Sequence, residues 1–235
     1  LVKLLRKASD HYYNSAPIMT DQEFDIIRDH IESIAPQHPV LKEIGAPIKT
    51  KQKLKLPYFM ASMNKVKPDS LNKWIHEYTG PYCVSAKLDG VSGLFTQKSG
   101  VQKLYTRGNG EIGQDISHLI PYITSLSNIT KEDIVVRGEL IIPEKEFQER
   151  FSSSKSNSRN MVSGLVNSKK IKENEMTAMH FVVYEVIEPS LKPSDQFKHV
   201  FKNGYELVKN EYLNKITLEY ASKTLQEWRK SGVYT

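Results

Sequence analysis

The sequence predicts an α+β protein: a small helical part over residues 1–50, then a larger, mixed and largely antiparallel part over 51–235. Three observations lead there. Apolar residues recur at helical spacing through the first 45 positions. Short alternating runs follow, separated by Gly, Asn and Pro punctuation. Helical stretches are scattered among those runs instead of alternating with them one for one, which argues against a regular βαβ series.

In chain order, Leu1, Leu4 and Leu5 share a face of a first helix, and "TDQEFDIIRDHIESI" brings Phe24, Ile27 and Ile31 together on a second. Thr20 with Glu23 three residues on forms a capping box. "APQHPVLKEIGAPIKTKQKLKLP" breaks the period with four prolines and a basic run, and reads as a linker. Asp69 or Ser70 can cap a helix through "LNKWIHEYTG". Then come the strand-like runs "YCVSAK", "SGLFTQ", "VQKLYTR", "DIVVRGELII" and "HFVVYEVIE", with turn signals at "KSG" and "GNGEIG". Pro143 opens a helical "PEKEFQERF", and "TLEYASKTLQEWRKSG" gives a closing helix. No internal repeat is visible.

Composition narrows the class. Hydrophobic residues at 39% and charged ones at 26% fit a globular protein, and no apolar run approaches the length of a membrane span. "LVKLLRKASD" is amphipathic and lacks the pattern of a signal peptide. Lys+Arg 33 against Asp+Glu 27 gives +6, which suits a phosphate-rich partner without requiring one. The single Cys83 excludes an internal disulfide framework or a Cys-rich zinc module, and reads as a buried core thiol in a reducing, intracellular setting. A monomer without membrane contact is expected.

The chemistry concentrates at "CVSAKLDGVSGLFTQKSG". A lysine attacks a carbonyl or a phosphorus only as the neutral amine, a form that desolvation or nearby positive charge favours. Asp89 points to the same side of an extended chain as Lys87, and could hold it or recruit Mg²⁺. Gly90 permits a sharp turn and close backbone approach. Taken singly, Lys87 reads as a surface charge before a hairpin turn. "YTRGNGEIGQD" sets Arg107 at the head of a glycine-punctuated loop suited to phosphate or ribose, though Gly108, Asn109 and Gly110 are also ideal hairpin residues. Glu139 in "VVRGEL" lies inside an apolar strand, where an unpaired carboxylate is expensive, so it needs an arginine or a ligand hydroxyl. In "NSRNMVSGLVNSK", Arg159 stands at a helix start, placed to clamp an anion or to be solvated.

Lys-Leu-Asp-Gly, Thr-Arg-Gly-x-Gly-x-x-Gly-x-Asp, Val-Arg-Gly-Glu and Asn-x-Arg-Asn, followed by an aromatic strand with Tyr184, resemble in this order the NAD-dependent DNA ligases. "HYYNSAPIMTDQEFD" is similar to their N-terminal signature, allowing a one-residue deletion before Pro17, and "PYFMASMNKV" to their Pro-Met-Leu-Ser-Leu segment. The resemblance implies an NMN-binding helical subdomain and a nucleotidyltransferase domain of the ATP-grasp-like ligase type. It implies that Lys87 attacks the α-phosphorus of NAD⁺, expels nicotinamide mononucleotide and becomes the lysyl-AMP. The adenylate would pass to a 5′-phosphate of nicked double-stranded DNA, and a 3′-hydroxyl would displace AMP.

By the same resemblance, Tyr12 and Tyr13 pack around nicotinamide, while Asp21 and Asp25 bond its ribose or amide. Ser62 and Met63 line the adenine side, Ser85 lies beside the base, Arg107 offsets phosphate charge, Glu139 accepts from the AMP ribose, and Tyr184 stacks on the base or closes the pocket. Arg159 and Asn160 approach DNA, and Asp89 is a candidate magnesium ligand. Four positions depart from the family pattern: Ser85 for a glutamate, Asn109 for an aspartate, Phe24 for a tyrosine and Asn167 for an arginine. At "RKSGVYT" the family continues into Asp-Gly-Val-Val-Ile-Lys and then further modules, so the chain reads as a piece truncated at its C-terminal end. Two alternatives stay open: an ATP-using ligase or capping relative, which shares Lys-x-Asp-Gly, and a non-catalytic nucleotide- or DNA-binding module of the same fold.

Overall fold

Two amphipathic helices, α1 (Val2–Asn14) and α2 (Asp21–Ile34), open the chain and pack against each other. The computed structural model describes residues 1–14, 18–41, 43, 53–168 and 170–231, and of 12–14, 21, 22 and 231 the backbone alone. Leu5, Ile31 and Val40 are buried between the helices, with Val2, Phe24, Ile27 and Leu41 against them. The capping box forms at the start of α2: the Glu23 N–H donates to Thr20 Oγ1 at 3.2 Å and the Thr20 N–H to Glu23 Oε2 at 2.7 Å. Part of the expected linker is structured. Pro39–Leu41 is a 3₁₀ turn whose Val40 is 4% exposed, because proline's fixed φ suits such a turn and the apolar residue beside it closes the helical pair. Residues 42 and 44–52 of that stretch lie outside the described residues.

The larger part contains, in order, β1 (Lys53–Lys55), α3 (Leu71–Glu77), β2 (Tyr82–Ser85), β3 (Val91–Lys98), β4 (Val101–Thr106), β5 (Ile112–Gln114) and β6 (Ile134–Ile141). It continues through α4 (Glu144–Arg150), α5 (Ser158–Val166), α6 (Glu173–Met176), β7 (His180–Glu188), α7 (Pro193–Lys202), β8 (Asn210–Leu213) and α8 (Leu218–Ser231). Strands β4-β3-β6-β7 form a four-stranded antiparallel sheet, and β1-β5 and β2-β8 are two-stranded antiparallel pairs. The architecture is α+β. Among the described residues no helix is long and apolar enough to cross a membrane.

The central sheet is covered on both sides. One face sends Phe95, Val136, Leu140, Phe181 and Val183 into the main core, against Phe147 of α4, Met161, Val162, Leu165 and Val166 of α5, and Leu119, Ile123 and Leu126 of two 3₁₀ turns. Fully burying such a side chain contributes roughly 1.5–3 kcal/mol, so this core fixes the register. The other face carries Leu94 and Val135 against Leu56 and Met60. Further along that face the register sets Ser92 opposite Glu139, and polar residues replace apolar ones. The candidate site begins there.

Two local expectations are corrected. Ser70 precedes α3 but does not cap it; its hydroxyl donates to the Lys67 carbonyl at 2.9 Å and closes a 3₁₀ turn over Pro68–Ser70. Cys83 is half-buried rather than part of the deep core, since β2 pairs only with β8, opposite Tyr212.

Candidate active site

Hydrogen bonding of β2 continues one residue past its end, where the Ala86 N–H donates to the Lys209 carbonyl at 2.9 Å. Leu88 is 6% exposed and packs with Ile141, Val182, Phe197 and Val208. Anchoring Leu88 turns its neighbours Lys87 and Asp89 the other way, and both are exposed along the same cavity. Gly90 follows because nothing larger fits: a Cβ there would lie 2.1 Å from the Leu140 carbonyl oxygen. The lysine turn therefore rests directly on β6.

Glu139, two residues before Ile141 on β6, is 8% exposed. Its Oε2 accepts from Ser92 Oγ at 2.8 Å, and the Gly90 N–H is near enough to favour the carboxylate form. Burial pushes this carboxyl up to about 7, and the negative charge of Asp89 adds to the rise; the Ser92 hydrogen bond, the Lys87 charge and the Gly90 N–H oppose it. Behind it, β7 carries a bulge: Arg137 pairs with Glu185 and Gly138 with Val183, leaving Tyr184 as the extra residue. The bulge sets the Tyr184 phenol near Ser92 and Glu139, and burial followed by the Glu139 charge pushes its pKa well up.

The glycine loop supplies a third wall. Gly110 has φ +95°, and a Cβ there would meet the Met60 carbonyl at 3.0 Å. Asn109 Oδ1 accepts from the backbone N–H groups of Glu111 at 3.1 Å and Ile112 at 2.7 Å, so its amide oxygen builds the turn as a carboxylate oxygen would. The Arg107 N–H donates to the Ser92 carbonyl at 3.0 Å. Its guanidinium donates through Nε to the Met60 carbonyl at 3.2 Å and through Nη2 to Ser62 Oγ at 2.5 Å. Arg137 ties the same segment from below, donating to the Phe59 carbonyl at 2.5 Å and to Glu185 at 2.6 Å.

Helix α5 closes the cavity. The Asn157 side chain caps it by accepting from the Asn160 N–H at 2.7 Å, while Met161, Val162, Leu165 and Val166 bury its opposite side. Arg159 pairs with Asp89 across the opening. Desolvation lowers the Arg159 guanidinium to about 10, still a cation at neutral pH. The cavity encloses about 140 Å³.

Lys87, Asp89, Arg107, Glu139, Arg159 and Asn160 thus line one cavity, together with Ser92, Thr106, Gln114, Ser163 and Asn167. Ser62 adjoins it through Arg107. Met63 is 65% exposed and does not line it; Ser85 is exposed on β2, also outside the lining. Tyr184 stands behind Glu139. Asp25 on α2 pairs with Lys65 at 2.7 Å, and Asp29 with Lys67 at 3.8 Å. The side chains of Tyr12, Tyr13 and Asp21 lie outside the described residues. Ser92, Gln114 and Ser163 carried no motif signal, and Thr106, which heads the Thr-Arg-Gly motif, was assigned no role; only the pairing of Ser92 with Glu139 in register makes that serine visible.

Residues 52–231 match the family description of the NAD-dependent DNA ligase adenylation domain. The chain belongs to this family. The chain is 40% identical over 238 residues to the DNA ligase of Acanthamoeba polyphaga mimivirus, an alignment covering 98% of this chain and 37% of that protein. It is 29% identical over 227 residues to the DNA ligase of Fusobacterium nucleatum, covering 82% of this chain and 33% of the relative. The chain therefore spans little more than a third of these curated relatives. Among solved structures, an apo mutant of the Naegleria gruberi RNA ligase aligns at TM-score 0.42 and 18% identity, over 81% of this chain and 58% of that one. That likeness carries no further argument.

Proposed function

We propose that this adenylation domain forms a lysyl-AMP at Lys87 with NAD⁺ as donor, the first step of DNA ligation. What carries the reading is the meeting of Lys87, Arg107, Glu139 and Arg159 on one cavity, with Lys87 the one lysine among its described lining residues. The neutral Lys87 amine attacks the phosphorus of the AMP half. The P–O bond to nicotinamide mononucleotide breaks, that group leaves with the electron pair, and the amine releases its proton. Arg107 and Arg159 offset the charge gathering on the phosphoryl oxygens. Glu139 accepts from a ribose hydroxyl of the AMP half.

The rest follows the family. Tyr12, Tyr13, Asp21 and Asp25 would hold the nicotinamide half, Asp25 exchanging Lys65 for the ligand. Ser62, Met63, Ser85 and Tyr184 belong to the base side of the site. The adenylate would then pass to the 5′-phosphate of nicked duplex DNA, with Arg159 and Asn160 on the side of α5 that DNA approaches. The place of action is wherever such nicks arise inside the cell. The helical pair through about residue 50 is the NMN-binding part, and the remainder the nucleotidyltransferase.

Among the described residues no group of three or more acidic, histidine or cysteine side chains is placed to hold a metal ion. A magnesium ion, which binds through one or two carboxylates plus substrate oxygens, would come in with the dinucleotide phosphates. Asp89, half-exposed at the opening, is the carboxylate suited to it. The ion would neutralise phosphate charge.

Intact-mass measurement after incubation with NAD⁺ tests the proposal. The chain should gain one AMP, and Lys87→Ala should gain none while keeping its thermal midpoint, since residue 87 is exposed. An adduct that persists in Lys87→Ala defeats the assignment, and labelling from ATP alone defeats the choice of donor.

A further inference from the structure

Ser92 lies where three parts of the cavity meet. Its strand position is directly opposite Glu139, its carbonyl accepts from the Arg107 N–H at 3.0 Å, and its hydroxyl donates to Glu139 Oε2 at 2.8 Å. The bulge in β7 sets Tyr184 near the same pair. With its one proton given to Glu139, the Ser92 hydroxyl is committed to that carboxylate.

The reason for this commitment is Glu139 itself. A carboxylate offers about four acceptor positions. Ser92 uses one of them, which ties down one oxygen from the facing strand and leaves the other acceptor positions for a ligand hydroxyl. An alanine at residue 92 would remove the donor and let the carboxylate rotate. Ser92 is half-buried, lines the cavity and lies within no sequence motif.

We propose that Ser92 is a positioning residue, whose hydroxyl, donating from the facing strand, sets the Glu139 carboxylate in the orientation that takes a ribose hydroxyl of the bound nucleotide. The inference rests on the adenylation reading for the identity of the nucleotide. It concerns recognition of the sugar, and the attack by Lys87 is a separate event.

The test is non-covalent binding of AMP, 2′-deoxy-AMP and 3′-deoxy-AMP, measured by calorimetry on the 235-residue chain, alongside the mass assay for the adduct. Ser92→Ala should weaken AMP about tenfold, the worth of one well-placed hydrogen bond to a charged group. The loss should vanish for the deoxynucleotide lacking the hydroxyl that Glu139 binds, and should vanish again in a Glu139→Gln background. Ser92→Thr, which keeps a hydroxyl, should restore most of the affinity. An equal loss on AMP and on both deoxynucleotides, or a loss that adds in full to that of Glu139→Gln, would show a merely structural serine and overturn the proposal, as would a failure of wild-type chain to bind AMP. If AMP binds with the expected pattern while no adduct forms from NAD⁺, the positioning role stands and the assignment of Lys87 falls.

Discussion

Asp89 and Arg159, 70 positions apart in sequence, pair across the opening of the cavity and join the lysine turn to the start of α5. Arg159 is the more buried partner, its side chain 24% exposed against 52% for Asp89. Removing the aspartate therefore takes an ionic partner from a partly desolvated cation, whereas removing the arginine takes one from a mostly hydrated carboxylate.

The two single variants should accordingly differ. Asp89→Ala should cost about 1–2 kcal/mol of unfolding free energy, and Arg159→Met about half as much. A double-mutant cycle by urea denaturation should return a coupling of about 1 kcal/mol. A coupling near zero would mean the pair is a surface contact only.

Glu139 sets a pH dependence. Its folded carboxyl, at about 7, lies above the ordinary 4.5, so between those values the native chain holds a proton that the unfolded chain has lost. Stability contributed by this group falls as pH rises through that window. Glu139→Gln, always neutral, should be more stable than wild type by about 2–3 kcal/mol at about pH 8. The advantage should shrink steadily toward about pH 5 in thermal melts across the range. A gain independent of pH would assign the effect to packing.

Arg107 holds the segment over the cavity. Its guanidinium bonds Met60 and Ser62, and the Met60 N–H donates to the Gly110 carbonyl at 2.8 Å. In Arg107→Ala, hydrogen exchange at the Met60 amide should quicken by about tenfold while core amides of β6 are unchanged. Equal acceleration in both places would indicate global destabilisation.

Much of this was legible in the chain. β3, β4, β6 and β7 follow from short apolar, strand-like runs bounded by turn signals, because each lies between an apolar layer and a second covered face. β5 was not: Ile112–Gln114 is three residues inside a glycine-rich turn, and it becomes a strand only because Lys53–Lys55 pairs with it. α7 also escaped notice, since Phe197 and Val200 are the only residues it buries and a polar run surrounds them. At the site, residue type pointed to Lys87, Arg107, Glu139 and Arg159. Their partners did not show, because Ser92 meets Glu139 through strand register, and Arg107 reaches Met60 and Arg159 reaches Asp89 across loops distant in sequence.

The bare backbone of Gly90 against the Leu140 carbonyl has a mechanical consequence. The turn that presents Lys87 cannot slide along β6 without collision, so Lys87 and Glu139 keep a fixed spacing, like one rigid jaw. In the adenylation reading proposed above, a nucleotide would conform to that spacing, while Arg107 and Arg159 reach the cavity from separate elements.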